Sequence, residues 1–286
     1  MSKKFYTAKN DRIFKAIFCN EEDTYLLKEF LSRLLNKNVR VIRFLRNELI
    51  INNVLSKEKR VDLLCLVDDT YVHIEINTER NNKYLHVRNF TYFTEIYDKK
   101  TLRGKEYKYD DEYLHIDLSY NMNNKDSLFS SYYLMDKNTK KYIENFEVQE
   151  YNMDRLKKFW YNGNIENINK YLHLIILDLN KDELEKLLKL DLSERDVLFV
   201  KTYYEKTKEL NDDEYYTSQI SYMEDVWRCA NTEKRIAYEE GIEQGIQEKT
   251  KSTIIKMLNK GFNDTEIKEI LNIDDDILNK IKQILI

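Results

Sequence analysis

Proline is absent from the 286 residues, where ordinary usage predicts about fourteen. With Lys, Asn, Ile and Tyr abundant, this points to a skewed genomic base composition and says little about function. No run of eighteen apolar residues occurs, which argues against a transmembrane helix. The opening MSKKFYTAKNDR lacks the apolar stretch of a secretory leader, so a cytoplasmic location is expected. Cysteine is scarce too. Cys19, Cys65 and Cys229 are too few and too scattered for a disulfide framework or a Cys-rich zinc site, and are expected to be reduced core thiols. A large charge of one sign is also missing. At a net charge of -4 any contact with nucleic acid must come from local basic patches.

What is present is 42% hydrophobic residues, ample for a packed core in one large domain or two modest ones. Ile13, Phe14, Ile17 and Phe18, then Leu26, Leu27, Phe30, Leu31, Leu34 and Leu35, form a helical stripe over 10–36, interrupted near Asn20. Strands are expected over 39–51, 61–67 and 71–77, the last two joined by a turn at Asp68-Asp69-Thr70. Val72, Ile74 and Ile76 alternate with Tyr71, His73, Glu75 and Asn77, which gives the hairpin a polar face. Leu85, Phe90, Phe93, Ile96 and Tyr97 restore helical spacing over 84–103, with Gly104 placed to end that helix. A further strand follows at 113–118. The order helix, three strands, helix, strand predicts an α/β layer fold. Two short strands near 129–134 and 146–151 precede a mostly helical C-terminal region. It contains stripes over 172–179 and 184–190 and a long charged helix from Glu233, with Gly241 and Gly245 in a small-residue spacing. The closing helices have a helix-turn-helix cadence, but the acidic run at Asp274, Asp275 and Asp276 favours packing or self-association over groove reading. The expected division is 1–150, 151–232 and 233–286.

Phosphodiester hydrolysis needs positive charge against developing negative charge and an activated water, and Mg²⁺ held by one or two carboxylates supplies both. Asp62 opens one expected strand and Glu75 lies on the next, so antiparallel pairing across the turn brings their carboxylates toward one ion. An Asp in VDLLCLV invites explanation because burying it unpaired is expensive. On spacing alone, a solvated hairpin face accounts for the same residues. Asn77 shares the face of Glu75, where a polar group orients water. His73 is there as well. With four histidines in the chain and no nearby His/Cys cluster, a zinc ligand is not expected, and His73 is expected at the surface or behind the site.

The segments NDRIFKAIF, RVDLLCLVDDTYVHIEIN and VRNFTYFTEIYDKKTLRGKEY together resemble the PD-(D/E)XK nuclease family transposases, also called recombination-promoting nucleases. The likeness covers roughly 8–120. FEVQEYNMDRLKKFW and EEGIEQGIQEK carry a weaker echo of the same family. It implies a restriction-endonuclease-like core and metal-dependent cleavage of DNA linked to recombination and mobile DNA. Mg²⁺ is the implied cofactor, with Mn²⁺ or Ca²⁺ as substitutes. Asp62 and Glu75 match the family's Asp and Glu-x-Gln, which is Glu-x-Lys in the wider superfamily. Asn77 departs from it, being shorter than Gln and uncharged. The resemblance further implies that the Ile76 carbonyl completes the metal shell and that Asp11, in the Asp-x-x-Phe-Lys opening, assists the metal or water. Asp11 also suits a helix N-terminus as a plain macrodipole partner. Lys15 is a candidate for phosphate contact and equally for covering a surface, and Arg88, which with Tyr92 matches the family's Arg-x-x-x-Tyr helix, is a candidate for phosphate contact or for a structural pair. A homodimer through the tail is expected. Two other readings stay open: a non-catalytic DNA-binding or regulatory descendant, and a toxin or phage-defence effector with the same chemistry.

Overall fold

A computed structural model describes residues 4–45, 62–78, Thr91, 112–120 and 127–283. The expected helix over 84–103 except Thr91, its end at Gly104, and Arg88 and Tyr92 lie outside the described residues, as do residues 46–51 of the first expected strand.

Helix α1 (Asp11–Phe18) begins where Asn10 accepts hydrogen bonds from the amides of Arg12 and Ile13, and it carries Asp11 in its first turn. Its stripe of Ile13, Phe14, Ile17 and Phe18 is buried against α2 (Tyr25–Leu34), which contributes Leu26, Leu27, Phe30 and Leu31. Phe18 meets Phe14 at 4.8 Å and Phe30 at 5.0 Å between ring centroids, in tilted contacts. The chain ahead of α1 is tied down at two places. Tyr6 and Asn211 exchange hydrogen bonds of 2.6 and 2.9 Å, and the Lys9 amide donates to the Leu177 carbonyl at 2.9 Å. These ties fix the axis of α1, and so the origin of the Asp11 and Lys15 side chains.

A six-stranded mixed sheet runs β1-β2-β3-β4-β6-β5. Its strands are β1 (Ile42–Phe44), β2 (Leu63–Val67), β3 (Thr70–Asn77), β4 (Glu112–Ser119), β5 (Phe129–Met135) and β6 (Tyr142–Asn152). The hairpin from β2 to β3 turns at Asp68, whose φ of 52° is left-handed, and the Asp68 carboxylate accepts from the amides of Arg40 and Val41. Strands β3, β4 and β6 are parallel, whereas β5 returns antiparallel on β6 as an edge. The apolar alternation of β3 and β4 buries Val72, Ile74, Ile116 and Leu118 on one face. The opposite face is polar and also buried, which the expected polar hairpin face did not reveal.

After β6, Asn152 caps α3 (Met153–Tyr161). Then come α4 (Ile165–Lys170), α5 (Leu172–Ile175) with a 3₁₀ turn at Ile176–Asp178, α6 (Lys181–Leu187) and α7 (Glu194–Asp212). The long helix α8 runs Glu214–Asn259, so it starts well before Glu233, and the expected boundary there falls inside a continuous helix. Its surface is exposed nearly all round over 221–249, which leaves little periodicity to read. Compactness divides the chain into Met1–Thr217 and Ser218–Ile286. In the second unit α9 (Asp264–Leu271) and α10 (Asp275–Gln283) join the end of α8 around Ile254, Ile267, Leu278 and Ile281. Cys65 is buried and Cys19 half-buried, but Cys229 is exposed on α8, so it is not a core thiol. No helix among the described residues is long and apolar enough to cross a membrane.

His173 on α5 packs edge-on to Phe30, and burial, with help from the Arg33 charge, lowers its pKa from 6.5 to about 3. The unfolded chain therefore takes up a proton that the folded chain refuses. The neutral ring supports the fold above pH 6.5, and that support is lost as pH falls toward 3. Urea unfolding at pH 7 and about 4.5 is expected to show wild type losing on the order of 3 kcal/mol more than His173→Leu. Equal losses would contradict this.

Candidate active site

Asp62 immediately precedes β2. The register that pairs Leu63 with Ile74 puts Asp62 opposite Glu75 when continued by one step. Both side chains are buried, Asp62 at 7% and Glu75 at 6% exposure. Asp62 Oδ2 accepts a hydrogen bond from the Ile76 amide at 2.9 Å, and its backbone carbonyl accepts from the Cys19 thiol at 3.6 Å. A strand residue sends its N–H and C=O out on the same side, so the Ile76 carbonyl faces the strand edge that carries Asp62.

The structure adds a contact that spacing did not supply. Lys15 Nζ, arriving from α1, lies 2.9 Å from Asp62 Oδ1 and 3.9 Å from the Asp11 carboxylate. Burial raises the Asp62 pKa and the neighbouring Glu75 charge raises it further, while the Lys15 ammonium and the Ile76 amide pull it back without cancelling the rise. Lys15 feels burial in the opposite sense, yet attraction to Asp62 outweighs it and its pKa is raised. The two directions look contradictory for one ion pair. They agree once Glu75 is counted, because its charge repels a carboxylate and attracts an ammonium. Asp11 itself is more than half exposed at the start of α1 and touches the group through Lys15.

Behind Glu75 runs a buried histidine chain. His73 Nε2 is 3.0 Å from Glu75 Oε1, and His115 Nδ1 is 2.8 Å from His73 Nδ1. With Glu75 as the acceptor, His73 donates through Nε2–H, which leaves its Nδ1 to accept from His115. His73 is therefore not at the surface; it stands behind the site and orients Glu75.

Parallel pairing lays the polar face out in rows. Tyr71, Tyr113 and Phe146 stack in the first, with His73 and His115 beside them; Glu75, Asp117 and Glu150 form the next, and Asn77, Ser119 and Asn152 the last. Asp117 accepts from Ser119 Oγ, and Glu150 accepts from the Tyr132 hydroxyl at 3.0 Å. Asp117, His115 and Glu150 were not singled out from sequence. A signal was there: TYVHIEIN and EYLHIDLS have the same order of aromatic, His and acid, and they pair in register. Arg88 lies outside the described residues.

The donor set suits a hard divalent cation. Two buried carboxylates face each other, and burial and mutual repulsion disfavour their joint ionisation unless positive charge is supplied. Among the described residues no group of three His, Cys, Asp or Glu side chains is arranged around one point. Mg²⁺ is compatible with this, because it keeps several waters and needs only one or two carboxylates. Burial pushes the Cys19 thiol up to about 11 and the Cys65 thiol to about 12, so neither offers a thiolate.

Comparison with known families gives a match over residues 8–232 to the profile described as PD-(D/E)XK nuclease family transposase. The chain belongs to this family. Its mixed α/β architecture, with a six-stranded mixed sheet and many helices, agrees with membership. Comparison with curated proteins and with solved structures finds no match.

Replacing His115 with Phe keeps an aromatic ring beside His73 but deletes the donor to His73 Nδ1. A loss of about 1–3 kcal/mol is expected in urea unfolding with chelator present, and a loss below about 0.5 kcal/mol would mean that the histidine chain does not support Glu75.

Proposed function

We propose that this protein is a Mg²⁺-dependent deoxyribonuclease acting in recombination or on mobile DNA. The observation that carries the reading is a buried Asp62 brought opposite a buried Glu75, in a chain whose family is one of nucleases. Asp62 and Glu75 would hold the ion, with the Ile76 carbonyl as a third donor. When bound, Mg²⁺ supplies Lewis acidity toward the phosphoryl group and makes the attacking water more acidic.

The rest falls to the chain. Asp62 is held by the Ile76 amide, so one carboxylate oxygen is fixed in direction while the other faces the α1 side. Glu75 is aimed by His73 and cannot swing without breaking that bond. Asn77, two residues on and on the same face, offers an amide to a water or a phosphate oxygen. Asp11 and Lys15 approach Asp62 from α1, and Arg88 is assigned to phosphate. In the reaction the water oxygen bonds to phosphorus and gives up a proton to solvent as the bond to the leaving oxygen breaks, and the leaving oxygen takes up a proton from solvent. A cytoplasmic location and a homodimer complete the proposal. Exposed Trp227, Tyr238 and Ile246 on α8 support self-association.

A second reading, a DNA-binding descendant with weakened catalysis, is favoured by Asn77 standing where the family pattern has Gln and the wider superfamily Lys. One assay separates the two. Purified protein with Mg²⁺ or Mn²⁺ is expected to cut plasmid DNA, chelator to stop it, and Asp62→Ala and Glu75→Ala to lower the rate at least about 100-fold. DNA binding that ignores both substitutions and the metal, without cleavage, supports the second reading.

A further inference from the structure

Strand β6 is longer than its neighbour in the sheet. Its pairing with β4 runs from Phe146 to Asn152 while its pairing with β5 begins at Tyr142, so among the described residues the tip of the β5–β6 hairpin stands beyond β4 as two strands alone. The turn that closes it is ordered. Asp136 accepts from the amides of Asn138 and Thr139 at 2.8 and 2.7 Å, and its own amide donates to the Lys141 carbonyl at 2.9 Å. The turn carries Lys137, Lys140 and Lys141, all exposed, and no ion pair to a described side chain engages them. With the Asp136 carboxylate committed to backbone amides, this is a local basic patch in a chain whose net charge is -4.

Beside the lysines stand aromatic rings that fill no core. Tyr142 is 60% and Tyr133 46% exposed, and they meet edge to face at 5.7 Å between centroids, so each steadies the other at the surface. Leu134 and Met135 on the same edge strand are exposed as well, and β5, with the sequence FSSYYLM, has no charged residue to protect that edge. Apolar surface bordered by fixed positive charge fits a partner that offers both flat apolar faces and negative charge. An unpaired nucleic-acid strand has both, phosphates for the lysines and open base faces for the rings. A duplex has the phosphates but keeps its base faces stacked, and a second copy of the tip brings like charge against like.

We propose that the β5–β6 hairpin is a nucleic-acid contact separate from the acids and holds an unpaired DNA strand: Lys137, Lys140 and Lys141 take its phosphates, while Tyr142, backed by Tyr133, stacks on a base. The inference rests on the nuclease reading above, because the hairpin belongs to the sheet that carries the acids. Glu150 of the acidic row lies eight residues after Tyr142 on β6, on the order of 25 Å along the strand. A contact at that distance adds affinity and selects DNA with open bases without touching the phosphate that is cut.

The test is fluorescence anisotropy of the full chain with labelled oligothymidine and with a duplex of the same length, in chelator so that no strand is cut. Tyr142→Leu, which keeps apolar bulk and removes the ring, is expected to weaken oligothymidine binding about ten-fold and to leave duplex binding within about two-fold, whereas Tyr142→Phe binds as wild type does. The triple variant Lys137→Gln, Lys140→Asn, Lys141→Gln is expected to lower the slope of log affinity against log salt by about two, the value for three phosphate contacts on a single strand. Asn is used at position 140 because the backbone there is left-handed, with φ 57°. Absence of oligothymidine binding by wild type, affinity that ignores Tyr142→Leu, a duplex weakened as much as the single strand, or an unchanged salt slope overturns the inference. So does a variant that keeps wild-type oligothymidine affinity but loses binding to vesicles of phosphatidylcholine and phosphatidylserine, or falls from dimer to monomer in sedimentation, because the hairpin then serves a membrane surface or a second copy. Cleavage is not read, so a failure of the plasmid assay leaves this test standing, and a failure here leaves the plasmid assay standing.

Discussion

Two carboxylates that face each other in a buried place repel, and each is deprived of the water that would screen it. Asp62 and Glu75 are in that position because β2 and β3 share a tight turn and a fixed register. Much of the surrounding polar structure is a response to this repulsion. The Ile76 amide and the Lys15 ammonium take the two oxygens of Asp62, while His73 takes one of Glu75. Among the described residues Lys15 is the one ammonium paired with Asp62 and Asp11, while Glu75 continues into the acidic row of Asp117 and Glu150, and the histidine chain adds no positive charge while its rings are neutral. The acids therefore retain an attraction for a further cation.

Such an arrangement does not stabilise the fold well, and the molecule places its stabilising contacts elsewhere. The aromatic cluster of Phe14, Phe18 and Phe30, continued by Tyr203 on α7, anchors α1 without touching the acidic row. The clasp between Tyr6 and Asn211 fastens the preceding segment. On the sheet, each histidine and acid of the polar face has a same-face neighbour one strand away, so the rows of β3, β4 and β6 hold one another in line. The rigidity that aims Glu75 and Lys15 is thus supplied by packing around the acids rather than by the acids themselves.

Local order made part of this legible from sequence. The stripe of α1, the turn at Asp68 and the opposition of Asp62 and Glu75 depend on short spacings, and the periods of two and 3.6 residues expose them. Long-range order was less accessible. Nothing in the spacing of residues 142–152 says that β6 inserts beside β4, so the neighbours of Glu75 at Asp117 and Glu150 went unremarked. The repeated pattern of β3 and β4 would have hinted at the first of them. Alternation identified the polar face of β3 but could not say that it is buried. The role of Lys15 depends on how α1 crosses toward β2, a matter of packing between segments nearly fifty residues apart in sequence. Helix α8 hid its start at Glu214 for a different reason: its middle, over 221–249, is exposed on nearly all sides, so no continuous apolar stripe links the first turns, where Ile220 is buried, to the segment from Glu233.

The account stands on a cation shared by Asp62 and Glu75. A crystal structure of the full chain grown with Mn²⁺, with anomalous scattering to locate the metal, tests it most directly. The account predicts one strong anomalous peak within coordinating distance of both carboxylates, with Lys15 Nζ withdrawn from Asp62 Oδ1. A peak elsewhere, or none while Lys15 remains paired to Asp62, would contradict it.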